Sequence, residues 1–214
     1  MHLVPIPNPG ETVYYGKPGD PVVVIIHDMY GRLPGLDQFA TALSSRGFRV
    51  AVPDLYDGVC TIDTATAERL RDQLDLLDAL AIIDEATAVA QDAGTEKVGI
   101  IGFSLGGRLA LLHAQAGSAD AVVAYYATLS PDDHGVIPCP VLLQWAETDA
   151  WDEGSEPAEF VDRLKEHGTP VSEFTYLATK HFFANAGIAE RINGQSAALA
   201  FARTTVFLDK HLGD

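Results

Sequence analysis

The residues best suited to chemistry lie between positions 97 and 107, which read Lys-Val-Gly-Ile-Ile-Gly-Phe-Ser-Leu-Gly-Gly. Within them, Gly102-Phe103-Ser104-Leu105-Gly106 has the spacing G-x-S-x-G. An apolar, strand-like run (98–103) leads in and a helix-like run (105–115) leads out. A serine on a tight strand-to-helix turn takes a strained backbone conformation that pushes its hydroxyl clear of the sheet. Glycines two before and two after it leave room that a Cβ would fill with a clash against the neighbouring strand or helix. The helix beginning after Ser104 aims unpaired N–H groups and a positive dipole end at the reacting oxygen. The pattern therefore points to nucleophilic catalysis by Ser104, with a structural turn as the plainer reading.

A serine hydroxyl is a poor nucleophile at neutral pH, so it needs a base within hydrogen-bond reach and an acid that orients the base. In one class of sites that display a serine on such a turn, the order along the chain is serine, then an acid, then a histidine. Asp149 lies past the strand-like run 141–145, at the carboxyl end of a core strand, with Glu147 and Asp152 as competitors. Among the histidines, His181 follows the last strand-like run (171–176), whereas His134, His167 and His211 sit in a loop, at a helix end and in the closing helix. For the oxyanion of a tetrahedral intermediate, the backbone N–H of Leu105 and one from the loop after an early strand are the expected donors. That loop reads His27-Asp28-Met29-Tyr30-Gly31, and Met29 is the candidate. Asp28 is read either as an Asx-turn or as a pocket residue. His27 ends a strand and is read as a satisfied core histidine. Tyr125 and Tyr126 alternate faces, so one lines the pocket and one is core. Trp145 is assigned to the core and Trp151 to a pocket wall. No H-E-x-x-H or C-x-x-C spacing is present, so neither a metal nor a cofactor is expected.

The elements that must carry these groups alternate along the chain. Strands are expected at 11–15, 21–27, 48–52, 97–103, 121–127, 141–145 and 171–176. Helices are expected at 36–46, 105–115, 156–167 (with Ser155 as cap) and 195–211, and as one long or two short helices over 66–93. The closing helix is expected to bury Ala198, Phe201, Ala202, Thr205, Leu208 and Leu212. Such alternation predicts an α/β fold, a mostly parallel twisted sheet with helices on both faces, whose active groups collect at the carboxyl ends of the strands. The segment 128–140 is too short for a lid domain, which suits small substrates. The chain has 214 residues, 47% of them hydrophobic and 21% charged, so one domain over 1–214 with a sizeable core is expected.

Thirty acidic residues against 14 basic ones give a net charge of −16. That charge argues against nucleic acid and against anionic membranes. No apolar run approaches a membrane span. The proline-rich start lacks the basic and apolar regions of a secretory leader, so the two cysteines, Cys60 and Cys139, are read as reduced thiols and the protein as cytoplasmic. Oligomeric state is left open.

With these residues in place, the sequence resembles the dienelactone hydrolase family of α/β-hydrolases over roughly 22–212. The likeness rests on the His-Asp-Met-Tyr-Gly loop, on Pro53-Asp54-Leu55-Tyr56, on the turn around Ser104 with its doubled glycine, on Tyr125-Tyr126 and on His181-Phe182. The resemblance implies an α/β-hydrolase fold without a lid, a triad of Ser104, Asp149 and His181, and an oxyanion hole from Leu105 and Met29. Three positions depart from the best-known members. Ser104 stands where they carry cysteine, Asp28 where they carry a glutamate that holds the resting thiol, and Asn185 where they carry an arginine that grips the substrate carboxylate. Serine gains nothing from a carboxylate gate and depends on a preformed hydrogen-bonded chain. Losing the arginine fork removes a bidentate contact, with Arg69 or Arg71 as unplaced substitutes. The expectation is a serine hydrolase of small, neutral esters or lactones. An acyltransferase on the same triad and a non-catalytic binding module of the same fold stand as alternatives.

Overall fold

A computed structural model describes residues 3–92, 96–149 and 156–213. Seven strands form one sheet: β1 (Val13–Tyr15), β2 (Val22–Ile26), β3 (Arg49–Val52), β4 (Val98–Phe103), β5 (Ala121–Tyr125), β6 (Val141–Thr148) and β7 (Val171–Lys180). Their order is β1-β3-β2-β4-β5-β6-β7, and every pair is parallel except β1 with β3. The chain steps outward from β2 to β3 and then returns to place β4 on the other side of β2. That reversal opens a crevice at the carboxyl ends of β2 and β4, where open α/β sheets bind ligands.

The central strands are continuous apolar runs because both of their faces are covered: every residue of β2, β4 and β5 is buried. One face carries α3 (Leu76–Gln91), α4 (Leu105–Ala114) and α5 (Pro157–Glu166), packed through Ile83, Leu109 and Phe160 onto Val24, Ile100 and Val122. The other carries α1 (Pro34–Ser44) and α6 (Gly194–Leu212), packed through Leu43 and Leu208 onto Val23, Ile25 and Ile101. Each fully buried aliphatic side chain of this kind contributes about 1.5–3 kcal/mol.

The 66–93 segment resolves into two helices, α2 (Thr64–Gln73) and α3. Leu74 takes an extended conformation between them, and the Asp75 carboxylate caps α3 by accepting from Leu77 N and Asp78 N. Two expectations shift. The buried face of α6 is Ala200, Thr204, Thr205, Phe207, Leu208 and Leu212, and Ala198 and Ala202 face outward. The helix turns this way because Thr204 completes a buried polar network, its Oγ1 lying 2.7 Å from the Tyr125 hydroxyl and 2.7 Å from Gln144 Nε2. The last two strands also run further than 145 and 176, pairing up to Thr148 and Lys180. β7 is the sheet edge and largely exposed, so polar residues there do not end the strand. Trp151, Asp152 and Ser155 lie outside the described residues.

Candidate active site

Ser104 sits between β4 and α4 with φ 52° and ψ −113°, a backbone that non-glycine residues rarely adopt. The turn is tight enough that a Cβ on Gly102 would run into the Gly106 carbonyl. A Cβ on Gly106 would run into the Ile26 carbonyl and come within 2.5 Å of the His27 carbonyl oxygen. Those two glycines let β4, α4 and β2 meet at the point where the serine is displayed. Ser104 N donates to the Tyr125 carbonyl at 3.0 Å, which anchors the turn to the neighbouring strand.

The hydroxyl of Ser104 lies 2.6 Å from Nε2 of His181, and Nδ1 of the same ring lies 2.6 Å from Oδ2 of Asp149. Each partner follows directly on a strand: Ser104 on β4, Asp149 on β6 and His181 on β7. The imidazole is enclosed and Ser104 half-buried, whereas the Asp149 side chain keeps 22% of its surface exposed. Glu147, the competing acid, is occupied elsewhere: its carboxylate accepts the Ala178 N–H at 2.7 Å and ties the ends of β6 and β7 together. The other described histidines do not meet Ser104. His113 pairs with Asp84, His134 packs against Phe160 and His167, and His211 packs against Phe207.

A cleft of about 200 Å³ opens in front of the serine, lined by Met29, Arg71, Ser104, Leu105, Arg108, Tyr126, Thr128, His181 and Phe182 among others. Leu105 is the first residue of α4, so its N–H has no acceptor within the helix. Met29 comes from the loop after β2 on the same cleft. Tyr126 leaves the end of β5 with a positive φ of 40°, which brings its ring 4.8 Å from His181, while Tyr125 stays in the core. Burial, followed by the nearby Asp28 charge, pushes the Tyr126 hydroxyl well above its usual range, so it remains protonated.

Asp28 and Asn185 meet each other beside this cleft. Asp28 Oδ2 accepts from Asn185 Nδ2 at 2.7 Å and Oδ1 accepts from Tyr30 N at 2.9 Å. Burial pushes the Asp28 carboxyl up to about 6, against the lowering effect of those two donors. Arg69 bonds Thr66 and does not line the cleft, whereas Arg71 does. Sequence reasoning missed Arg108. Its signal was its place four residues after Ser104, one helical turn along the same face of α4. Arg71 and Arg108 pair with Asp72 and Asp133 at 2.8 and 2.7 Å. Among the described residues no group of three or more His, Cys, Asp or Glu side chains is placed to hold a metal ion.

The model of the dienelactone hydrolase family matches residues 11–212. The chain belongs to the dienelactone hydrolase family. A carboxymethylenebutenolidase of Rhodococcus opacus is 28% identical over 210 residues, covering 89% of this chain and 81% of the relative. A Bradyrhizobium protein named as a probable 2-oxo-3-(5-oxofuran-2-ylidene)propanoate lactonase is 24% identical over 210 residues, covering 90% and 84%. The solved structure of a dienelactone hydrolase-like promiscuous phosphotriesterase from metagenomic libraries shares the fold, with a TM-score of 0.71 at 21% identity over 90% of this chain and 87% of that one. The α/β sheet expected from the strand and helix alternation, and the α/β-hydrolase fold implied by the resemblance, are the fold of this dienelactone hydrolase family member.

Proposed function

We propose that this dienelactone hydrolase family protein hydrolyses small carboxylic esters or lactones through an acyl-enzyme on Ser104. The observation that carries the reading is the continuous hydrogen-bonded chain from the Ser104 hydroxyl through His181 to Asp149. In the proposed cycle, Nε2 of His181 takes the Ser104 proton as the hydroxyl attacks the ester carbonyl. Asp149 holds the Nδ1 proton and stabilises the imidazolium that forms. The carbonyl oxygen gathers negative charge and is received by the N–H groups of Leu105 and Met29, a contribution of about 2.7–4 kcal/mol per donor in the transition state. His181 then returns the proton to the leaving alkoxide, and water repeats the sequence on the acyl-enzyme to release the acid.

The small, lidless cleft suits compact substrates. Asn185 is neutral and offers them no cation, and its amide donates to Asp28. Arg71 and Arg108 line the cleft, but each is paired with an aspartate that offsets its charge. The reading is therefore esters and lactones as a class, with neutral ones favoured by the acidic surface. Two buried free thiols, Cys60 and Cys139, support a reducing, cytoplasmic setting. Among the described residues no helix is long and apolar enough to cross a membrane. The sheet shared by elements from residue 13 to residue 180 supports one domain over 1–214.

The test compares p-nitrophenyl acetate with a carboxylate-bearing dienelactone on the wild type and on Ser104→Ala, with product analysis in the presence of an added alcohol. Hydrolysis lost in Ser104→Ala supports the reading. Acyl transfer to the alcohol in preference to water would make the chain a transferase, and no turnover of any ester would make it a binding module.

A further inference from the structure

The loop after β2 and the loop after β7 each bring one part of the proposed machinery: the first presents the Met29 N–H, the second His181. They are far apart in sequence, and only tertiary contacts can hold them in register with Ser104. We propose that Asp28 and Asn185 are positioning residues that clamp these two loops together, so that the oxyanion donor and the base keep a fixed separation across the serine. The inference rests on the functional reading above and adds to it how the site is held.

The clamp is built from side chains whose polar atoms are each engaged. Asp28 is 4% exposed. One of its oxygens takes the Tyr30 N–H and so fixes the turn around Met29, and the other takes the Asn185 amide across 157 residues of chain. The side-chain oxygen Oδ1 of Asn185 accepts from Gly187 N at 2.8 Å, and Asn185 N donates to the Phe182 carbonyl at 2.9 Å. The turn directly after His181 is thus closed on itself and then tied to Asp28. That turn is strained, with φ 69° at Phe182, and so needs outside support. A second contact runs parallel to the first: the Tyr30 ring meets the Phe182 ring edge-on at 5.1 Å between centroids. Desolvation works against a charged carboxylate at position 28. A carboxylate kept there and fully engaged by two donors, neither of them Ser104 or His181, has a holding role rather than a reacting one.

The experiment uses Asp28→Asn, Asn185→Asp and the exchanged pair Asp28→Asn/Asn185→Asp. Asp28→Asn turns an amide donor toward the Asn185 donor, and Asn185→Asp sets two carboxylates against each other. The exchanged pair restores one donor facing one acceptor. Turnover is expressed per active site titrated with a fluorophosphonate, which removes any contribution from unfolded protein. Each single variant is expected to lower kcat about 10- to 100-fold, the scale of a misplaced catalytic group, with KM held within about twofold. Affinity for a trifluoromethyl ketone should fall by the same factor as kcat, and the exchanged pair should recover most of both. Asn185→Ala, which leaves Asp28 intact, should show the same split should either charged variant fail to fold. Single variants that melt earlier but keep wild-type kcat per titrated site, or an exchanged pair no better than the singles, would overturn the clamp. Ser104→Ala in the same series separates the two ideas: full activity there removes the functional reading, while lost activity there with unchanged kcat at positions 28 and 185 removes the clamp alone.

Discussion

One histidine follows a central strand and another the edge strand, and they carry the same proton arrangement, yet only one meets a hydroxyl. His27, after β2, lies with Nδ1 2.7 Å from the Asp28 carbonyl oxygen and Nε2 3.1 Å from the Leu55 amide nitrogen. His181, after β7, has Nδ1 against the Asp149 carboxylate and Nε2 against the Ser104 hydroxyl, both at 2.6 Å. These partners assign Nδ1 as the protonated nitrogen and Nε2 as the acceptor in both rings. The difference is in what faces Nε2. An amide N–H does not give up its proton at any working pH, so His27 is a bracket between β2 and the 53–56 segment. A hydroxyl held by an acceptor and facing the proposed oxyanion site can give up its proton, so His181 is the proposed base. Burial alone does not distinguish the two, since His27 is 1% and His181 4% exposed.

The largest effects should come from removing the reactive side of this contrast. Ser104→Ala and His181→Ala are each expected to lower kcat/KM for p-nitrophenyl acetate by at least about 10,000-fold, as the loss of one member of a concerted triad does. Circular dichroism and melting should show that both variants remain folded. A loss in His181→Ala no greater than that in His27→Leu would erase the contrast. Asp149→Asn should cost up to about 10,000-fold in kcat while leaving the geometry intact, because an amide at that position favours the wrong imidazole tautomer. Steady-state kinetics with an unchanged melting temperature checks this.

His27→Leu should act on stability instead. It orphans the Leu55 N–H in a buried place, at about 1–3 kcal/mol, while the Asp28 carbonyl keeps the Gly31 N–H, and denaturant unfolding reads the loss directly. Its turnover per titrated site should change far less than that of His181→Ala. A further expected effect is a pH dependence of opposite sign at two adjacent residues. Burial holds His27 below its ordinary value of 6.5, so the unfolded chain binds a proton that the folded one does not. Its contribution is complete above about pH 6.5 and is lost as the pH falls. Asp28 is raised from 3.8 to about 6, so its contribution is complete below pH 3.8 and is lost, on the order of 3 kcal/mol, as the pH rises to about 6. Unfolding curves of wild type and His27→Leu between pH 5 and 8 should converge toward the acid side; curves that stay parallel would mean that His27 is not held neutral.

The contrast also shows what could be read before any coordinates. The turn at Ser104 was legible because a strand run, two spaced glycines and a helix run must coincide locally. The convergence of Asp149 and His181 on Ser104 was legible because both sit at strand ends, which apolar patterning reveals. The alternation of strands and helices gave the parallel sheet for the same reason. Features that depend on how a helix is rotated were hidden. The buried face of α6 is set by the polar network at Thr204, and no hydrophobic period signals a buried threonine. Arg71 reaches the cleft only because α2 folds over the strand ends, and Arg108 because α4 begins at the serine. The meeting of Asp28 with Asn185 joins positions 157 residues apart, beyond any local pattern.

The account stands or falls on one hydroxyl. Wild type, Ser104→Ala and His181→Ala should be treated with a fluorophosphonate, followed by intact-mass measurement and peptide mapping of the adduct. The expected result is a single adduct per wild-type chain, mapped to Ser104, absent from Ser104→Ala and formed far more slowly in His181→Ala. An adduct at any other residue, or ester hydrolysis by Ser104→Ala at the wild-type rate, would contradict it.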